Sequence, residues 1–257
     1  MSFSPADDGH DGAGAEGVNR VEQWSGESRR FLALFVRVEG SRCLVVGAGR
    51  VGLRKVEALL EAGGRVTVVG PRAGPGIRQL ARAGKIEYEA RRFKESDLEG
   101  VMLLVVATNS ARINQEAAAE AKRRGIICNV VDRPSLCSAI FPAVVKRGPL
   151  QIAISTGGAS PAMARWIRSQ VESTLGDEYE RALAVLARIR KGVLASGMTA
   201  RKRQEFFRRV AGPRLLELCK KQDMREIDRL LREAMEECTE RRGADRPRKT
   251  PRGRSAL

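Results

Sequence analysis

The sequence predicts an α/β protein, a doubly wound parallel sheet followed by a helical region. Three observations carry that prediction. Apolar runs of four to six residues recur through the first half of the chain, as strands buried on both faces require. A glycine-rich turn joins the first run to a helical pattern and then to a second run within about thirty residues, the size of a βαβ unit. Beyond Pro161 the apolar residues recur only at helical spacing.

The first run, Arg42-Cys43-Leu44-Val45-Val46, leads straight into Gly47-Ala48-Gly49-Arg50-Val51-Gly52. Leu53, Val56, Leu59 and Leu60 then mark one helix face, Gly63-Gly64 ends it, and residues 66–69 form the second strand. The turn has the form G-x-G-x-x-G, and in this setting each glycine has a task. The first permits a tight turn, the second lets backbone N–H groups approach a pyrophosphate, and the third lets helix pack on strand. The helix N-terminus adds free donors and a favourable dipole, so a dinucleotide is expected here. The acidic residue that grips a ribose should follow about twenty residues on. Gly70-Pro71-Arg72 stands there instead. Either Arg72 meets a 2′-phosphate, which points to NADP, or it is solvated beside an NAD ribose held by backbone groups.

The α/β rhythm continues. Ile77, Leu80 and Ala81 mark a short helix, residues 86–90 an edge strand and residues 102–107 a buried strand. The last of these delivers Thr108, Asn109 and Ser110 to the carboxyl edge of the sheet, where open α/β folds bind ligands. A helix over 111–124, with Ile113, Ala117, Ala118 and Ala121 inward, precedes a closing strand over 126–131. The expected order is β-α-β-α-β-α-β-α-β. Asp132 follows the last strand directly, before Arg133-Pro134. It is either a base beside a bound nicotinamide, its pKa raised by partial desolvation, or a turn-initiating aspartate. Residues 139–145 and 150–154 read as two strands joined around Arg147-Gly148-Pro149. Ser155-Thr156-Gly157-Gly158-Ala159-Ser160-Pro161 is a polar loop opening a helix, with Ser160 as N-cap and Pro161 in the first turn. Its hydroxyls and amides suit a carboxylate as well as a cap. Later stripes (Trp166 to Leu175; Tyr179, Leu183, Leu186 and Ile189; Phe206, Phe207 and Val210; Ile227, Leu230, Leu231 and Met235) read as core.

Composition narrows the chemistry. The 257 residues carry a net charge of +16 and one histidine, His10, which lies in a Gly/Asp/Ala-rich leader. A Ser-His-Asp triad and a multi-histidine metal site are therefore excluded, and no metal site is expected. Aromatic residues make up 4 %, too few for a stacking platform for single-stranded nucleic acid. Five scattered cysteines without a C-x-x-C pair fit reduced thiols in the cytoplasm. No apolar stretch is long enough to span a membrane. Residues 1–30, net −3, read as a disordered leader, and residues 241–257, with seven basic side chains and one acid, as a disordered basic tail. The excess charge of the body suits a small polyanion better than nucleic acid.

Together these blocks resemble a known family. Residues 45–55, Ala107-Thr108-Asn109, residues 128–134, Phe141-Pro142-Ala143 and residues 154–161 are similar to the siroheme-synthase amino-terminal family of precorrin-2 dehydrogenases, some of which are also sirohydrochlorin ferrochelatases. The resemblance spans about residues 31–210. It implies a Rossmann domain over 31–141, a dimerisation region over 142–170 and a helical domain over 171–240. It also implies NAD rather than NADP as cofactor, a homodimer, and precorrin-2, a tetrapyrrole polycarboxylate, as substrate. Asp132 falls on the catalytic aspartate. Gly47, Gly49, Arg50, Val51, Gly52, Pro71, Arg72, Thr108 and Asn109 form the expected cofactor set, and Asn129, Ser155, Thr156, Gly157 and Gly158 the expected substrate set. Metal insertion into sirohydrochlorin is a further implied activity. The rival reading is a nucleotide-sensing regulatory module without chemistry, which would have no use for Asp132 or the Gly157-Gly158 loop.

Overall fold

Apolar runs bounded by glycine turns build the expected sheet. The structure, a computed structural model, describes residues 31–240; the expected leader and basic tail lie outside the described residues. Strands β1 (Arg42–Val46), β2 (Arg65–Val69), β3 (Glu87–Glu89), β4 (Leu103–Val106) and β5 (Ile127–Val130) form one sheet in the order β3-β2-β1-β4-β5. All the pairings are parallel, and Val46 lies level with Val69 and Val106. Strand order reverses between β1 and β4, so the carboxyl ends of these two strands bound a crevice, the usual ligand position in such sheets.

Helices close both faces. Helices α1 (Arg50–Glu61) and α2 (Pro75–Arg82) lie on the face where Val56, Leu59 and Ile77 pack with Cys43, Val45, Val66, Val68, Leu103 and Val105. Helix α3 (Ala111–Arg123) brings Ala117, Ala118 and Ala121 against Leu44, Val46, Leu104, Val106, Cys128 and Val130 on the other. With apolar layers on each side, strand residues of both parities are buried, which explains unbroken apolar runs in place of alternation.

The expected helix between β3 and β4 is replaced by a single 3-10 turn, Glu95–Leu98. The connection is too short for a helix that returns to the sheet, and Asp97 fixes it instead. Its carboxylate is buried, accepts from the Arg91 guanidinium at 2.7 and 2.9 Å and accepts from the Lys94 amide at 2.8 Å. Leu98 and Val101 then enter the core.

After β5 the chain forms a hairpin of β6 (Ala143–Arg147) and β7 (Leu150–Ile154), turning through Gly148 at φ +55°. The first of these strands begins at Ala143, later than expected, because the Ala139 backbone is bonded back to β5: its amide donates to the Cys128 carbonyl at 3.0 Å and its carbonyl accepts from the Asn129 side chain at 3.0 Å. Helix α4 (Pro161–Thr174) starts as expected, with Ser160 Oγ accepting the Met163 amide at 3.1 Å. Helices α5 (Glu178–Ala195), α6 (Ala200–Val210), α7 (Pro213–Lys221) and α8 (Met224–Glu240) share a separate core around Phe206, Val210, Leu215 and Ile227. In α5 the buried line is Ala182, Val185 and Val193, with Leu186 and Ile189 beside it; Tyr179 and Leu183 are only half-buried. Trp166 is exposed rather than core. Among the described residues no helix is long and apolar enough to cross a membrane.

Candidate active site

The glycine turn is built as its sequence demands. Gly47 has φ +114°, and a Cβ there would run into the Ala107 carbonyl at the end of β4. A Cβ on Gly52 would strike the Gly47 carbonyl, so the third glycine lets α1 seat on the turn. At Gly49 a Cβ would meet nothing within 4 Å, which leaves the space in front of the α1 N-terminus open. Gly49 caps that helix without a side-chain bond, and its first turn carries no acid. Free amides, a positive dipole end and an open approach fit the pyrophosphate of a dinucleotide. Arg50 is exposed and Val51 half-buried at the same place.

Around this cradle, Pro71 and Arg72 are exposed just past β2. Gly70 packs its Cα edge against Ala48, and its carbonyl accepts the Tyr88 hydroxyl at 2.8 Å. Asn109 is exposed at the end of β4, but Thr108 faces inward. The Thr108 hydroxyl donates to Asn114 Oδ1 at 2.7 Å and accepts the Ser110 amide at 3.2 Å, while the Asn114 amide returns to the Thr108 carbonyl at 3.2 Å. The Thr108 side chain thus shapes the loop and has no free donor for a ligand. Asn114, buried in α3, carries no sequence signal, because a polar residue among alanines on a helix reads as solvent-facing.

Asp132 leaves β5 at the same sheet edge, exposed and in the left-handed region at φ +57°. The desolvation expected of it is not supplied by this chain alone. Its loop is strapped back along the outer edge of β5. Cys137 Sγ accepts the Val130 amide at 3.2 Å and lies 3.2 Å from the Val130 carbonyl and 3.4 Å from the Arg133 carbonyl, to either of which the thiol can donate. Ser138 Oγ accepts the Cys128 amide at 2.8 Å. Asn129, expected at the substrate, is buried and donates to the Ala139 carbonyl, so its side chain supports this loop instead. Cys137 was read only as a reduced thiol; its spacing from Val130 carries no periodic signal that would have exposed this task.

The 155–160 loop is closed on itself. Ser155 Oγ accepts the Gly157 amide at 3.1 Å, and the Thr156 hydroxyl accepts the Ser160 amide at 3.1 Å and donates to its carbonyl at 3.0 Å. Gly157 and Gly158 have φ +63° and +93°, with open space where side chains would be. Because Ile154 pairs with Ala143, this loop starts at the end of the hairpin where Phe141 stands. The structure thus gathers the glycine turn, Asn109 and Asp132 along the carboxyl edge, and carries the 155–160 loop separately on the hairpin. Among the described residues no three His, Cys, Asp or Glu side chains gather as a metal site.

Comparison with known proteins agrees with this geometry. An NAD(P)-binding family model matches residues 34–143, and a sirohaem biosynthesis protein central model matches residues 147–174. The siroheme synthase of Pseudomonas fluorescens (strain SBW25) is 40 % identical over 180 residues, covering 70 % of this chain and 39 % of that protein. The chain is similar to siroheme synthases across the stretch that the two models match. A second relative, the siroheme synthase of Methylococcus capsulatus, is 36 % identical over 204 residues, 79 % of this chain and 43 % of its own length. The chain therefore spans about two fifths of the length of these curated relatives. Among solved structures, SirC, precorrin-2 dehydrogenase, superimposes with a TM-score of 0.64 at 23 % identity, over 80 % of this chain and all of that one, which shows a shared fold. The first module of this chain is thus a nicotinamide-dinucleotide-binding one.

Proposed function

We propose that this chain oxidises precorrin-2 to sirohydrochlorin, with NAD as the oxidant and Asp132 as the base. One observation carries the reading: a carboxylate that nothing in the fold requires stands in a left-handed conformation at the carboxyl edge of the sheet that holds the glycine turn. The bound nicotinamide supplies a hydride acceptor. Gly47, Gly49, Gly52 and the amides of Arg50 and Val51 hold the pyrophosphate, with Pro71, Arg72 and Asn109 around the ribose. Asp132 Oδ takes the proton that the macrocycle loses as its C–H hydride departs, so two electrons and two hydrogens leave the substrate and one proton reaches solvent. Gly157 and Gly158 offer amides to a carboxylate arm. The family resemblance favours NAD over NADP, with Arg72 left exposed beside the ribose. Iron insertion into sirohydrochlorin draws on the same carboxylate.

The chain acts as a homodimer in the cytoplasm in this proposal, divided as the resemblance implies. A lone two-stranded hairpin is marginal in water, and α4 beside it exposes Met163 at 50 % and Trp166 at 59 %. The test is anaerobic turnover of precorrin-2 with NAD, followed by NADH absorbance, then repeated with NADP and with added Fe²⁺. Asp132→Asn should keep NADH binding and lose at least about a hundredfold in kcat, the usual share of a general base. Full turnover in that variant removes Asp132 from its role. Cofactor binding without any oxidation of precorrin-2 favours the regulatory reading.

A further inference from the structure

Lys55 stands in α1 on the side of the helix shared by buried Gly52 and Leu59, and its ammonium lies 3.8 Å from the centroid of the Phe141 ring. It is half-buried, and among the described residues no carboxylate lies within ion-pair reach of it. Lys146 on neighbouring β6 is different: its ammonium meets Glu61 at 2.7 Å. Burial pushes the Lys55 pKa below the ordinary lysine value and Arg54 adds to this, while the charges of Cys137 and Asp132 push the other way. The fold therefore keeps a partly dehydrated cation without an ion-pair partner, near enough to Asp132 to feel its charge, an arrangement that costs free energy until an anion arrives.

That anion is not the dinucleotide pyrophosphate. The phosphate cradle lies at Gly49, and the six residues from there to Lys55 carry it about 9 Å further along the axis, toward Phe141. The Phe141 ring, half-buried against the core, fixes the ammonium from one side by a cation–π contact. On the same end of the hairpin the 155–160 loop begins.

We propose that Lys55 is a substrate-binding residue that anchors one carboxylate arm of the tetrapyrrole and so sets the macrocycle against Asp132. The inference rests on the dehydrogenase reading for its substrate. Its test does not depend on turnover. Uroporphyrin III, a tetrapyrrole with eight carboxylates, is titrated by fluorescence quenching into the full chain, its Lys55→Met variant and its Lys55→Arg variant, with NADH titrated into each in parallel. The Met variant should bind the porphyrin about tenfold more weakly, the loss of one charge-assisted contact, and the Arg variant should bind within about threefold of the parent. NADH affinity should be unchanged in both. Thermal stability of the Met variant should equal or exceed that of the parent, since an unpaired cation has been removed. Unchanged porphyrin affinity in the Met variant, or an equal loss of NADH affinity, overturns the assignment. So does a Met variant that unfolds while Lys55→Gln folds and binds normally. Where the dehydrogenase reading itself fails, precorrin-2 is not oxidised by the parent although these binding differences persist.

Discussion

Asp132, the proposed base, shows how a side chain is held in place by groups to which no chemistry is assigned. A left-handed aspartate is disfavoured by roughly 1–2 kcal/mol, and it persists where its surroundings determine the backbone on both sides. Cys137 does this with one sulfur, which touches Val130 before Asp132 and Arg133 after it. Cys137→Ala should therefore lower kcat about tenfold while KM for NAD and NADH affinity stay within twofold, and Cys137→Ser should recover part of the loss. An unchanged kcat in the Ala variant removes the positioning role. Gly47 and Gly52 were legible in the sequence because each answers a local backbone demand. Asn129, Thr108 and Cys137 were not, since their partners are backbone groups brought close only by the tertiary fold.

Among the elements, apolar runs marked β1, β2, β4 and β5, because burial on both faces leaves a continuous pattern; β3, Glu87-Tyr88-Glu89, is a partly exposed edge strand. The connection between β3 and β4 escaped, since a 3-10 turn has too few residues to show a period. Burial alone would push the Asp97 carboxyl up, but bonds from Arg91 and the Lys94 amide outweigh it and hold the group below its ordinary value. A depressed carboxylate contributes stability that is full above its unfolded pKa, near 4, and is lost as pH falls through the folded value. Asp97→Ala should thus cost about 1–2 kcal/mol at pH 7, after screening on the half-exposed Arg91 side, and the difference should shrink steadily below about pH 4 in urea melts. A pH-independent difference would mean that packing, not charge, holds the turn. The α5 stripe was displaced because Ala182 and Val185, small enough for close approach to α7, carry less weight in an apolar pattern than the leucines beside them.

At the scale of the molecule, the charge and the single histidine confined the chemistry before any motif was read, leaving carboxylates and a bound cofactor. The proposed pairing of copies has no signature in composition, because exposed apolar residues are common singly. It rests on Met163 and Trp166, which lie exposed one turn apart on α4 beside the two-stranded hairpin. Trp166→Glu should convert a dimer to a monomer at micromolar concentration in sedimentation velocity, with secondary structure retained. A dimer that survives this change places the contact elsewhere.

The loop that presents Asp132 also occupies the outer side of β5, the last strand of its sheet. Bare strand edges recruit further strands, and proteins must block them. Here the blocking segment and the segment that carries the proposed base are the same ten residues or so. Under the proposed function, selection on turnover doubles as selection against fibril-like stacking, and a chain that loosened this loop to widen its substrate range would trade solubility for it.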